Sequence, residues 1–369
     1  MASSGPNGPK GPRDMAPVIV AAVVVLLLVM ALVGTIGAAG PVGSIGSVGS
    51  IGPAGPIGPG PESIVFSSGG MKGAAHAGVL LFMHERGLMR RATKFAGSSV
   101  GAVIAAACAL RMDVREIVRL WSELDYVAMM TAGSGQSERG KFGGRAMHEF
   151  FRGLIGRETG EPDITFREMH RARGTTLVVA ATCVSLRRCV YFTHTDEEYA
   201  DTPVALALRL SCSLPFVLEP VTYKGLLFAD GAITDALPLE PLCGLGGQRN
   251  NTLAVVVMSA DDRVGGPQSI DGPKGPSGAK GPEGSRKQEG PGKQEGPQGP
   301  EGPHGPTDYA AMLLESAMRS RAIRVPSDAN ARVLYVRTNA ECGITRVQNE
   351  DTGALVRRGY EEARRFFSL

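Results

Sequence analysis

Of the 369 residues, 50 are glycine and 25 are proline; setting aside the low-complexity stretches 1–61 and 265–307 leaves about 265 residues, enough for one well-buried α/β core. The formal charge is +3 with no dense Lys/Arg stripe, which argues against a nucleic-acid partner. The six cysteines (Cys108, Cys183, Cys189, Cys212, Cys243 and Cys342) form no C-x-x-C pair and no His/Cys cluster, which argues against a zinc site and makes free thiols the expectation.

Residues 1–16 are a Gly/Pro-rich tail in which Gly5, Gly8 and Gly11 keep triplet spacing. From Pro17 to Ala39 no charge occurs, and Val18–Ala39 wound as a helix would measure roughly 33 Å, enough for a bilayer's hydrocarbon core. Residues 17–39 are therefore predicted to be a transmembrane signal-anchor, giving a single-pass membrane protein held in the bilayer by this helix. The rival reading is a cleaved signal peptide, with Gly37 and Ala39 as small residues before the cut. Lys10 and Arg13 precede the segment and no Lys or Arg follows until Lys72, so the positive-inside rule leaves the amino terminus cytoplasmic.

Residues 40–61 read as a collagen-like linker, with glycine at every third position from Gly40 to Gly58. A second such run extends from Gly272 to Gly305, its period broken where Lys287 and Lys293 stand at glycine positions. Only glycine fits the axis of a triple helix, so the repeat admits a homotrimer, with the stalk at 40–61 as the better place for its contacts. The run at 265–307 has few apolar residues and balanced charges, and reads instead as a disordered insertion within a domain spanning 62–369.

Ser63–Ser67 reads as a short buried strand, Gly69-Gly70-Met71-Lys72-Gly73 as a sharp turn, and Ala74–Arg86 as a helix ending at Gly87. Such a turn aims backbone N–H groups at an anion, either a phosphate or an oxyanion. Lys72 precedes Gly73, so the lysine-then-Ser/Thr of a phosphate loop is missing. The near-match Gly135–Lys141 has Phe142 where a magnesium-binding hydroxyl is needed.

The strand Thr93–Ala96 runs into Gly97-Ser98-Ser99-Val100-Gly101, with Ser99 twenty-six residues after Gly73, and Ala102–Arg111 follows as an alanine-rich helix. A serine at a strand-to-helix elbow is thrust into the open, and Ser99 is the candidate nucleophile. Its base is not a histidine. Among His76, His84, His148, His170, His194 and His304, only His304 follows the late acid motif, and it lies in the Gly-Pro run. The remaining candidate is Asp230, closing the strand Leu226–Ala229 of a pair that turns at Lys224-Gly225, with Gly231 letting the chain bend away.

These motifs, in this order, resemble the patatin-like phospholipase family: the glycine cradle ending in Lys72-Gly73, the elbow Gly97–Gly101, the motif Asp230-Gly231-Ala232, and the small-residue stretch Leu210–Pro215. The likeness runs over about Ser63–Asp261 and resumes from Thr307. It implies a three-layer α/β/α fold with a mainly parallel central sheet, and lipid acyl ester hydrolysis by a Ser99–Asp230 dyad without metal or other cofactor. Gly69, Gly70 and Met71 would supply the oxyanion hole, and Lys72, Gly73, Gly97, Gly101 and Gly231 would support the motifs. Lys72 would fix the loop, meet a lipid phosphate, or sit solvated at the surface. Asp235-Ala236-Leu237-Pro238 departs from the family, whose members often carry asparagine before this proline. The function expected is a membrane-anchored lipid acyl hydrolase of phospholipase A type. The alternatives are a lipid acyltransferase using the same dyad, or an inactive membrane-tethered collagen-like scaffold.

Overall fold

In a computed structural model, which describes residues 59–123, 140–244, 251–259, 331–338 and 352–368, the run Ser63–Phe66 forms strand β1, buried along its whole length. A 3-10 turn at Gly70–Gly73 leads into helix α1 (Ala74–Glu85). Strand β2 (Lys94–Ser98) passes through Ser99 directly into α2 (Val100–Ala109), which is followed by α3 (Val114–Glu123). After β3 (Gly140–Phe142) comes α4 (Arg145–Thr159), stopped by Gly160 in the left-handed conformation at its C-cap. Helix α5 (Phe166–Arg173) is started by Thr165 and Glu168 capping each other's backbone N–H groups.

Strand β4 (Thr176–Cys183) reads T-L-V-V-A-A-T-C and is buried on both faces, as a central strand must be. It turns back through β5 (Arg188–Phe192); then follow α6 (Val204–Ser211), β6 (Phe216–Leu218), β7 (Val221–Tyr223) and β8 (Leu226–Ala229). A 3-10 turn (Gly231–Ile233), α7 (Leu239–Gly244), β9 (Thr252–Ser259), β10 (Arg332–Thr338) and α8 (Thr352–Ser368) complete the order.

The main sheet has eight strands among the described residues, in the order β10-β9-β1-β2-β4-β8-β7 with β5 also on β4. The five strands from β10 to β4 are mutually parallel, and β5, β8 and β7 add antiparallel pairings. Because side chains alternate across a strand, Ile64, Phe66, Phe95, Leu177, Val179 and Val255 face one apolar cluster, shared with α1, α2, α4 and α6. Val65, Ala96, Val178, Ala254 and Val256 face another, closed by Leu237, Leu239 and Leu242. Helices thus cover both faces, giving a three-layer α/β fold around a mixed, mostly parallel sheet.

The apolar segment 17–39, the tail before it, the linker at 40–58 and the run at 265–307 lie outside the described residues. The single-pass membrane location with a cytoplasmic amino terminus requires correction: among the described residues, no helix is long and apolar enough to cross a membrane.

Candidate active site

One edge of β4 brings two distant parts of the chain together. Ala180 is level with Ser98 of β2 and Tyr191 of β5, whereas Thr182 is level with Cys189 of β5 and Ala229 of β8. A strand residue has two sides, so β2 and β8 share the edge opposite β5. Extending both registers by one residue puts Ser99 and Asp230 level with Ala181. There Ser99 Oγ donates to Asp230 Oδ2 at 2.8 Å.

The elbow is strained and clamped. Ser99 holds φ 53° and ψ −127°, a conformation that costs a non-glycine residue about 1–3 kcal/mol. Its neighbours leave no room for side chains: a Cβ at Gly97 would strike the Gly101 carbonyl, and one at Gly101 would strike the Phe66 and Ser67 carbonyls. The Ser99 N–H donates to Ser211 Oγ at 2.8 Å, and that hydroxyl donates to the Ala180 carbonyl at 2.6 Å. Ser211, at the end of α6, therefore pins the elbow to β4.

Asp230 is 2% exposed. Its Oδ1 accepts the Ala232 N–H at 2.9 Å, its own N–H donates to the Ser213 carbonyl at 2.8 Å, and its carbonyl accepts Thr182 Oγ1 at 2.7 Å. Burial raises its pKa to about 6, against the opposing pull of the Ala232 N–H and the Ser99 hydroxyl. Gly231 is the bend: a Cβ there would strike the Ala180 carbonyl.

The glycine-rich turn lies against the residue after the serine, because a Cβ on Gly73 would run into the Val100 side chain and one on Gly69 would touch it at 3.8 Å. Gly70 takes φ 55° with open space where a side chain would go. Gly69 and Gly73, at the two ends of the 3-10 turn, thus lie against the elbow; Gly69, Gly70 and Met71 are the first residues of that turn, whose leading N–H groups point out of its own bonding. Ser68 N–H donates to the Ala236 carbonyl at 2.9 Å, joining this loop to the chain just past Asp230. Lys72 is largely buried and its Nζ donates to Ser259 Oγ at 2.8 Å, so the surface-solvated reading does not hold.

The histidines serve elsewhere. His76 is wholly buried on α1, with Nε2 2.9 Å from the Ser67 carbonyl, and burial lowers its pKa to about 4. His170 and His194 stack on one another with ring centroids 3.6 Å apart. Among the described residues, no three His, Cys, Asp or Glu side chains gather where a metal could bind.

An apolar groove of about 560 Å³, including its open mouth, begins at the elbow. Val100, Val103 and Ala107 of α2 line it, facing Met147, Phe150, Phe151 and Leu154 of α4 and Ile117, Leu120 and Trp121 of α3. Cys212 joins the lining; burial first, then the Asp230 charge, push its thiol well above its ordinary range and keep it neutral. Ser211, Cys212 and Thr182 were not singled out by the sequence, although the stretch Leu210–Pro215 carried a signal for two of them.

Residues 64–243 match the family model described as patatin-like phospholipase. Among curated relatives, the probable lipid hydrolase 463L of Invertebrate iridescent virus 6 is 23% identical over 186 residues, covering 48% of this chain and 62% of that protein. The uncharacterized protein YqhO of Bacillus subtilis is 30% identical over 178 residues, covering 43% and 58%. The match thus spans less than two thirds of either relative. The crystal structure of VipD from Legionella pneumophila superposes with a TM-score of 0.50 at 15% identity over 84% of this chain and 67% of that one, a likeness of fold. Over residues 64–243, just under half of its length, this chain is similar to the patatin-like phospholipase family.

Proposed function

We propose that the chain is a serine lipid acyl hydrolase in which Ser99 is the nucleophile and Asp230 its base. The observation that carries this reading is the 2.8 Å bond from the Ser99 hydroxyl to a buried carboxylate, made at a strained elbow. With its pKa near 6, Asp230 is mostly ionised at neutral pH yet more basic than an ordinary carboxylate, as a base acting on a hydroxyl should be.

Ser99 Oγ attacks the ester carbonyl carbon while its proton passes to Asp230. The carbonyl oxygen, now negative, takes hydrogen bonds from the N–H groups of Gly69, Gly70 and Met71. Collapse expels the alcohol, which receives the proton from Asp230 and leaves an acyl group on Ser99. Water then attacks the acyl carbon, gives a proton to Asp230, and the released Ser99 oxygen recovers it as the fatty acid departs. The groove is apolar and starts at Val100, the residue after the nucleophile, which suits an acyl chain.

The test is a panel of phospholipids and neutral lipids with wild type beside Ser99→Ala, together with labelling by a fluorophosphonate probe. Lipid hydrolysis and labelling present in wild type and lost in Ser99→Ala are expected. Labelling that persists in Ser99→Ala would remove the serine from its role.

A further inference from the structure

Val184, Leu186 and Phe216 are the exposed large apolar side chains among the described residues, at 44%, 44% and 38%. Single exposed apolar residues are ordinary. Two of these, Val184 and Leu186, lie together at the end of the sheet where β2 gives way to Ser99. Val184 and Leu186 form the tip of the β4–β5 hairpin, beyond Ala181, the position level with Ser99 and Asp230. At about 3.3 Å per residue the strand sets Val184 roughly 10 Å past that level. Phe216 follows Ser213 by three residues, and the Ser213 carbonyl accepts the Asp230 N–H. The ring sits on a backbone at φ 67°, which bulky side chains rarely adopt.

The same hairpin carries two exposed cations, Arg187 and Arg188. Neither pairs with a carboxylate among the described residues, whereas Arg91, Arg119 and Arg152 each hold one. The tip therefore presents apolar side chains and unpaired positive charge together, facing outward from the end of the sheet where the candidate nucleophile stands.

We propose that the β4–β5 hairpin docks the folded domain peripherally onto an anionic lipid surface. Val184 and Leu186 enter the headgroup layer and Arg187 and Arg188 pair with anionic headgroups, so that the elbow faces the lipid. The choice of partner rests on the lipid-hydrolase reading; the surface itself does not depend on the dyad.

The full chain is tested by co-sedimentation with vesicles of phosphatidylcholine mixed with phosphatidylserine, and with phosphatidylcholine alone. The variants are Arg187→Asn with Arg188→Gln, since Asn tolerates the φ of 55° at 187, and Val184→Ser with Leu186→Ser. At about fivefold per basic side chain near an anionic surface, the arginine pair is expected to weaken binding to the mixed vesicles about thirtyfold. Wild-type binding should also fall with added salt. Both variants should hydrolyse a water-soluble short-chain ester at the wild-type rate, and Ser99→Ala should bind vesicles as wild type does. Failure of the hydrolase reading and failure of the docking surface are thereby separable. Undiminished vesicle binding by both variants, equal wild-type binding to phosphatidylcholine alone, or a matching loss on the soluble ester would each overturn the proposal.

Discussion

In the proposed mechanism, the buried Asp230 carboxylate sets activity and stability against each other. Its folded pKa of about 6 lies above the ordinary value of 3.8, so between those two pH values the folded chain binds more protons than the unfolded one. Stability from this group is therefore fully present below pH ~4 and is lost as pH rises towards about 6, reaching a deficit of about 3 kcal/mol above it. If Asp230 is the base proposed above, ester hydrolysis requires its ionised form and should rise through the same window, with an apparent pKa near 6 in kcat/KM. Asp230→Asn removes the buried charge while keeping an oxygen for the Ala232 N–H. We expect this variant to lose hydrolysis by several orders of magnitude and to melt at a higher temperature than wild type at pH 8; a lower Tm there would contradict the assigned burial cost. The glycines and the serine of the elbow are legible in the sequence because steric demands at that turn are local. Ser211 and Thr182 are not: each acts through a bond to a residue far along the chain, Ser99 and Asp230 respectively, and nothing in a serine or threonine codon announces such a partner.

At the scale of elements, α2 both presents the serine and walls the groove. Val100, Val103 and Ala107 fall at i, i+3 and i+7 on one face, spanning about 10 Å of helix from the elbow. A larger side chain at Ala107 would shorten the usable depth without touching Ser99. Ala107→Leu is expected to lower kcat/KM for long-chain esters by about tenfold or more, on roughly 0.8 kcal/mol for each methylene denied burial, and to leave the shortest esters unchanged. A uniform drop across chain lengths would instead mean that the elbow had moved. The groove was hidden from sequence reading because all ten residues of α2 are buried, so no amphipathic stripe marks the face that lines it. The mainly parallel sheet, by contrast, was foreshadowed by the resemblance that the glycine turn, the serine elbow and the Asp230 motif carry, in that order along the chain. The β3–β6 pair, three residues on each side, was too brief to leave a periodic signal.

The whole molecule accommodates a long excursion between two parallel neighbours, since β9 ends at Ser259 and β10 begins at Arg332. A parallel crossover needs only about a dozen residues. Deleting 265–307 leaves 260–264 and 308–331 to make the connection. Because closure entropy grows only with the logarithm of loop length, we expect the shortened chain to gain at most about 1 kcal/mol of stability and to keep its kcat on soluble esters. Collapse of activity or of Tm on deletion would show that the Gly-Pro run supports the fold. Where that excursion begins, Lys72 bonds to Ser259, the last residue of β9. A pull applied to the chain where it leaves this strand arrives, through an ammonium and a hydroxyl, at the glycine cradle itself.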